Sequence, residues 1–358
     1  MNTMEKRYGG LVLYLTLNCN LNCTYCFCGK KYKEDMTIET AEAAIDMFDK
    51  LSHDHSNITF FGGEPLLKMD LIKKIITLNN AKYNNKFGFS ITTNGTLLTN
   101  DVYYYLRENN VNVLLSLDGA KKSHDLNRRF YDGNGSWDRI INNVHDFIEE
   151  LPVRMTFSTA TLNDLFDNIS YLYEMGFTNI AFYPAGGDNW TDDDICIFEE
   201  EMKKIINYIY VRYCEGKTTN SHWIDKSIIR HITGKTDSCK PGVNQFSVTP
   251  NGDIYPCNHT NFSLDALKLG TIKTGIDEDK VEWLKTQIKK TDAECEECSL
   301  KNRCNYCYIG MYEETGFLWK IPDWFCAMNQ CVIINSDILA SKLYSEQNSL
   351  FMRKFYKS

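Results

Sequence analysis

Six short runs rich in β-branched and aromatic residues mark the first half of the chain, at 11–17, 57–61, 88–93, 111–117, 153–159 and 179–183. Between them the apolar positions recur every three to four residues, at 38–51, 71–83, 101–109, 137–151 and 163–175, which is the period of an amphipathic helix. Strands alternating with helices predict parallel βαβ units with right-handed crossovers. The α/β fold expected is a partial (β/α)6 TIM-like barrel, with an open doubly wound sheet as the other arrangement of the same units. Near-continuous hydrophobicity in the runs predicts a sheet covered on both faces. Functional residues should gather at the strand C-termini. A further helix is expected at 199–213. From Cys239 onward the chain reads as loop-rich, with its only long helix at 276–291 and a last one at 333–344. The organisation expected is a barrel over 1–215, a connecting segment over 216–238, a Cys-rich auxiliary domain over 239–335 and a C-terminal helix and tail over 336–358. No internal repeat or low-complexity linker is visible.

At 358 residues the chain can bury a full core without staples. Charged residues at 24% and hydrophobic ones at 43% exclude a disordered chain. No apolar run approaches the roughly 18 residues of a membrane span, and the polar start carries no secretory signal, so a cytoplasmic protein is expected. A net charge of -8 argues against nucleic acid or an anionic membrane as the main partner. The unusual number is 14 Cys. Four fall between 19 and 28 and eight between 239 and 331, with Cys196 and Cys214 alone between. Buried Cys scatter along elements whereas ligand Cys bunch in loops, so the two clusters read as metal or iron–sulfur ligands. Core packing is expected of Cys196 and Cys214.

Cys19, Cys23 and Cys26 form CxxxCxxC directly after the first predicted strand. Three thiolates hold three irons of a [4Fe–4S] cubane and leave the fourth free to bind a small molecule. A zinc site would want a fourth ligand nearby, and Cys28, one residue apart from Cys26 across Phe27, is the candidate. Further along come Gly62-Gly63-Glu64-Pro65, Thr92-Thr93-Asn94-Gly95 and Ser116-Leu117-Asp118-Gly119, one after each of the next three strands. Paired glycines permit close backbone approach, and a carboxylate at a strand end suits an ammonium group. NG and DG alone are common turns; four such segments in order, each at a strand end, are a pattern.

The pattern, with Tyr25 before the third Cys, resembles the radical S-adenosylmethionine (SAM) enzymes. The resemblance implies that Cys19, Cys23 and Cys26 bind the radical [4Fe–4S] cluster and act in catalysis. It also implies SAM contacts from Tyr25, Gly62, Gly63, Glu64, Pro65, Thr93, Asn94, Ser116, Asp118 and Arg128. Within that set the 62–65 segment would hold the methionine amino group. Ser116 and Arg128, or Arg129 beside it, would hold the carboxylate. The second Cys region is similar to a SPASM domain: Cys239, twelve residues, Gly252, four residues and Cys257, then Cys295-x2-Cys298-x5-Cys304-x2-Cys307, Cys326 and Cys331. The gap from Cys304 to Cys307 is two where the family has three. By resemblance Cys295, Cys298, Cys304 and Cys326 bind one auxiliary [4Fe–4S] cluster. Cys239, Cys257 and Cys307 bind another, with or without an open iron, giving three clusters in all. The other reading of the CxxC pairs is a zinc ribbon.

Two departures narrow what the resemblance implies. Sulfatase maturases carry an Asp after the Cys that ends the GxxxxC segment, as a base; here Asn258 and then His259 follow Cys257. A first strand near residue 11 is expected to leave no winged-helix peptide-recognition domain ahead of the barrel, so a separate leader-binding protein is a candidate partner. The expected function is modification of a ribosomally made precursor peptide. The enzyme would abstract hydrogen from a substrate residue and form a crosslink or thioether by net oxidation, with a flavodoxin- or ferredoxin-type reductant. The alternatives are formylglycine formation, epimerisation with Cys28 or Cys331 as hydrogen donor, and a multi-cluster electron carrier with no substrate of its own.

Overall fold

The computed structural model describes residues 7–28, 33–217, 219–235, 239–260, 262 and 264–356. Six parallel strands stand in sequence order: β1 (Tyr8–Thr16), β2 (Ser52–Gly62), β3 (Gly88–Thr93), β4 (Val111–Ser116), β5 (Val153–Phe157) and β6 (Ile180–Pro184). The helices between them are α1 (Ile38–Leu51), α2 (Met69–Lys82), α3 (Asn100–Glu108), α4 (Lys121–Asn127), α5 (Trp137–Val144) and α6 (Leu165–Glu174). Polar caps start two of them: the side chains of Thr37 and Thr99 accept from the N–H groups of Thr40 and Val102, pairing donors a helix start leaves free. Strand, helix and neighbouring parallel strand, repeated in this order, build a partial TIM-like barrel.

The two faces of the sheet differ, which corrects the expectation that both are apolar. Leu13, Ile58, Phe60, Ile91, Leu115, Met155, Phe157 and Phe182 are buried in the main core with the helices. The alternate residues Asn57, Thr59, Ser90, Ser116, Arg154, Thr156 and Tyr183 are half-buried on the other face, because strand side chains alternate between faces. Asn57 Nδ2 donates to Ser90 Oγ at 2.9 Å, and Thr59 Oγ1 lies 2.9 Å from the same atom. The barrel interior is therefore a polar lumen. Its apolar part is a separate group on β1 and β2, formed by Val12, Tyr14 and Phe61 with Phe27 and Cys28 against it.

Beyond β6, α7 (Asp192–Cys214) and α8 (His222–Thr233) cover the sheet end. Residues 218 and 236–238 of the expected connecting segment and 357–358 of the expected tail lie outside the described residues. Four further strands were not expected: β7 (Gln245–Val248), β8 (Asp253–Tyr255), β9 (Gly270–Thr271) and β10 (Gly275–Ile276). β7 pairs parallel to β1 on its free side, and β8, β9 and β10 follow antiparallel. The Cys-rich region is thus stitched to the barrel by its own sheet. Its helices are α9 (Glu278–Ile288), α10 (Ala293–Glu296), α11 (Tyr308–Thr315), α12 (Asp323–Ser345) and α13 (Ser349–Phe355).

The expectation of one long helix here is corrected as well, since α12 runs 23 residues, starts well before 333 and packs along α7 and α8. Cys196 and Cys214 on α7 are exposed rather than in the core, because α7 turns its Phe198, Ile205 and Ile209 side inward instead. Among the described residues no helix is long and apolar enough to cross a membrane.

Candidate active site

The loop after β1 carries Cys19, Cys23 and Cys26 at the C-terminal end of the strand. Cys19 is buried, and its sulfur accepts from Leu21 N–H at 3.4 Å and from Asn94 Nδ2 at 3.8 Å. Cys26 N–H donates to Cys23 O at 3.3 Å, which closes a tight turn between these two cysteines. Two glycines let β2 end against this loop. A Cβ on Gly62, at φ +135, would lie 2.2 Å from Thr16 O, and one on Gly63 would lie 2.1 Å from Asn18 O; both are closer than any real contact. In their place Gly63 N–H donates to Thr16 O at 2.9 Å and Glu64 N–H to Asn18 O at 3.0 Å.

Glu64 is fully buried. Its carboxylate accepts from Leu66 N–H at 3.0 Å, Thr93 Oγ1 at 2.8 Å and Asn94 N–H at 2.7 Å. Burial outweighs these three donors and leaves its pKa raised to about 7. The side chain therefore clamps the 62–65 segment, whose Pro65 opens a 3-10 turn, to the loop after β3. Asn94 continues the tie by donating to Asn20 Oδ1 at 2.9 Å. In Glu64→Gln the amide nitrogen would face an N–H donor. The variant is expected to lose about 1–3 kcal/mol of stability, the cost of a buried donor left unmatched. An anaerobic denaturant titration with an unchanged midpoint would refute the clamp.

A second constellation closes the other side. Asp118 is buried and accepts from Arg128 Nε at 2.8 Å, Thr156 N–H at 2.9 Å and the Tyr25 hydroxyl. The Arg128 guanidinium lies 5.4 Å from the Tyr25 ring centroid. Asp118, Tyr25 and Cys23 hold the Arg128 pKa well above its ordinary value against burial, so the cation stays charged beside the Cys23 thiol. His124 sets this pair in place. Its Nδ1 accepts from Asp118 N–H at 3.2 Å, and its Nε2 meets Ser136 Oγ at 2.9 Å, whose own proton goes to Arg128 O. Burial drives the His124 pKa down to about 3, so the ring is neutral with its proton on Nε2. Ser116 faces the lumen beside these groups, opposite Arg154 on β5.

The later cysteines fall into two groups. Burial pushes the Cys304 thiol up to about 12, with Cys326, Cys298 and Cys295 adding to the rise; Cys295 in turn is raised by burial and then by Cys326. Arg230 Nη1 donates to Cys304 O at 2.7 Å and fixes that loop. In the other group burial lifts Cys257 well above its ordinary value, with Cys307 and Cys239 adding to it. Cys239 rises to about 11 for the same reasons, burial first and then Cys307. Among the described residues no three ligand side chains close to the spacing of a single ion. The donors in both groups are all thiols, the ligand type that iron–sulfur clusters take. Cys331, by contrast, is buried in α12, raised to about 12 by burial and then by Glu199 of α7, with Asn335 Nδ2 on its sulfur at 3.4 Å. It belongs to a helix interface.

Tyr14 joins the first loop to the Cys257 group. Burial raises its pKa, and the thiols of Cys28, Cys257 and Cys26 all add to the rise, so it lies near both regions; its hydroxyl donates to Asn258 O at 2.5 Å. His259 stacks flat on Phe27 at 5.0 Å and 7°. Burial holds its pKa down at about 4. Tyr14, His124, Arg154 and Tyr183 were not singled out from the sequence. An arginine inside an otherwise apolar strand run was the available signal for Arg154.

Residues 13–162 match the radical SAM superfamily. The chain is 32% identical over 177 residues to an uncharacterized protein of Methanocaldococcus jannaschii, covering 48% of this chain and 61% of that one. It is 27% identical over 316 residues to the cysteine-type anaerobic sulfatase-maturating enzyme of Clostridium perfringens, covering 80% of this chain and 84% of the relative. Its fold is that of native anSMEcpe solved with bound AdoMet, at a TM-score of 0.82 and 23% identity over 94% of this chain and 99% of the other.

Proposed function

From the premise that this chain carries a radical SAM domain and is a homologue of the anaerobic sulfatase maturases, we propose that it is a peptide-modifying radical SAM enzyme with three [4Fe–4S] clusters. It would form a crosslink or thioether in a ribosomally made peptide by net oxidation. The observation that carries this reading is the convergence on one lumen of the Cys19–Cys26 loop, the Asp118–Arg128 pair and the Cys239, Cys257 and Cys307 group, with Tyr14 between the first and the last.

When bound, a reduced cluster and SAM supply an electron and a 5′-deoxyadenosyl radical for hydrogen abstraction. The chain's own residues do the rest. Cys19, Cys23 and Cys26 would hold three irons. The backbone of the 62–65 segment, clamped by Glu64, would receive the methionine amino group, with Ser116 and the free face of Arg128 near the carboxylate. Phe61, Phe27 and Val12 keep water from one side of the lumen, as a reactive carbon radical requires. Cys295, Cys298, Cys304 and Cys326 would hold the outer auxiliary cluster, which makes an outward path for the second electron. A flavodoxin or ferredoxin would supply the first electron, and a separate protein would present the peptide leader.

Homology to sulfatase maturases favours a second reading, formylglycine formation, which the Asn258 position weakens. The two separate by product mass. Reconstituted protein is incubated with dithionite, SAM and a Cys-containing peptide encoded beside its gene. A crosslink or thioether removes two hydrogens. Formylglycine from Cys exchanges the thiol for an aldehyde oxygen with release of sulfide. A peptide returned unchanged, with 5′-deoxyadenosine formed, would overturn the peptide assignment.

A further inference from the structure

Arg154 holds a charge that no ion pair among the described residues meets. On β5 its neighbours Val153 and Met155 are buried toward the helices, so Arg154 faces the lumen, opposite Ser116 on β4 and Ala181 on β6. Its guanidinium lies 4.1 Å from the Tyr183 ring centroid, and Tyr183 in turn shares a 2.6 Å hydrogen bond with His222 Nδ1. Among the described residues Arg154 forms no ion pair. Tyr183 and Cys307 raise its pKa most and Asp118 least, and the one carboxylate among them, Asp118, has its oxygens already taken by Arg128, Tyr25 and Thr156. Burial lowers the Arg154 pKa, and Arg128 adds like charge, whereas Asp118 raises that of Arg128. A guanidinium drawn into protein without an acid is costly, and a planar fork of donors matches a carboxylate.

We propose that Arg154 receives a carboxylate carried by the substrate, so that the barrel takes a peptide whose modified residue bears or adjoins an acidic group. The proposal rests on the radical SAM peptide-modifying reading above. The methionine carboxylate of SAM has the same chemistry, and the SAM titration below separates the two. Arg128 and Tyr25 are the groups on which Cys23 of the first loop acts. Arg154 feels Tyr183 and Cys307 first and Arg128 and Asp118 after them, and it acts in turn on His259 beside Cys257, so it stands between the two cysteine regions. A residue held between the two cysteine regions reaches Arg154 from there.

The test is anaerobic calorimetry on the iron-reconstituted full chain, wild type, Arg154→Gln and Arg154→Lys, with N-acetyl-aspartate N-methylamide and its neutral isostere N-acetyl-asparagine N-methylamide. Wild type is expected to bind the acidic probe about tenfold or more tightly than the amide, the range of a charged hydrogen bond. Arg154→Gln should bind both equally, and Arg154→Lys should keep part of the preference. SAM affinity should stay within about twofold across all three. Arg154→Gln removes an uncompensated charge, so it is expected to fold, and the lysine variant reports on the charge if it does not. A tenfold loss of SAM affinity in Arg154→Gln with probe preference intact would assign the carboxylate to the cofactor and overturn the proposal. A wild type that does not distinguish the probes would overturn it too. Failure of wild type to bind SAM would instead sink the functional reading, while the probe pair still reads Arg154 directly.

Discussion

Cys19→Ala, Cys23→Ala and Cys26→Ala are each expected to abolish reductive cleavage of SAM and to remove roughly four irons per chain, one cubane. The site has no spare ligand in the right place. Cys28 packs against the Val12, Tyr14 and Phe61 group, and one residue between it and Cys26 cannot bring both thiols to separate irons of the same cubane without unwinding the turn. The contrast is therefore within one loop: Cys28→Ala should retain its iron and its cleavage. Cys19 is the most informative of the three, because its sulfur is held by Leu21 N–H and Asn94 Nδ2. In the alanine variant Leu21 N–H would lose its partner and Asn94 Nδ2 would keep only Asn20 Oδ1, so its loop should also loosen. Iron content, the visible spectrum and 5′-deoxyadenosine by chromatography read the result. Full cleavage in all three variants would sink the assignment.

The loop containing these cysteines was legible because its spacing and its place after a strand are both local. The same holds for β1 to β6, whose runs are bounded by turn segments. What lay hidden is instructive. Asn57, Thr59 and Ser90 sit inside runs that read as continuously apolar, so the polar lumen emerged only when neighbouring strands brought them together. β9 and β10 have two residues each, too few to show any period, and they exist because β7 found a free edge on β1. The start of α12 was missed because Cys326 was read as a ligand in a loop-rich region, whereas α12 carries Cys326, whose thiol acts on Cys304, and buries Cys331 against α7. Cys196 and Cys214 were assigned to the core by residue type alone, and the face of α7 decided otherwise. For the 62–65 segment the residue types suggested a ligand contact, while the geometry gives the Glu64 carboxylate three protein donors. Side-chain partners distant in sequence cannot be read from spacing.

Cys257→Ala is expected to uncouple the reaction: 5′-deoxyadenosine should form when the protein is reduced chemically, but no oxidised peptide should follow. The first electron enters at the Cys19–Cys26 loop, which Cys257 does not ligate in this scheme. Removal of the second electron after hydrogen abstraction needs the cluster assigned to Cys239, Cys257 and Cys307. The substitution is placed where the backbone can tolerate it. Ser247 Oγ donates to Cys257 O at 3.0 Å and Thr260 Oγ1 does so at 3.1 Å, so the turn after β8 is anchored through main chain. The thiol itself is held loosely, by a 3.4 Å contact from His259 N–H and by the Thr260 side chain. Metal binding and folding are linked in Cys-rich loops, so circular dichroism and the spectrum of the first cluster are measured before the reaction. With the fold intact, iron should fall by roughly one cubane, and cleavage should persist while modified peptide drops below detection. Normal yields of modified peptide would show that this cluster is neither the electron outlet nor the substrate anchor. Loss of cleavage together with product in a folded variant would contradict the division of labour, since it would make the Cys257 cluster part of the first electron's path. Cleavage without product is the single outcome that only an electron outlet or a substrate anchor beside the lumen can give, and Cys295→Ala separates these. That cysteine belongs to the outer group, away from Tyr14, so its loss would block the outward electron while leaving anything anchored at Cys257 in place.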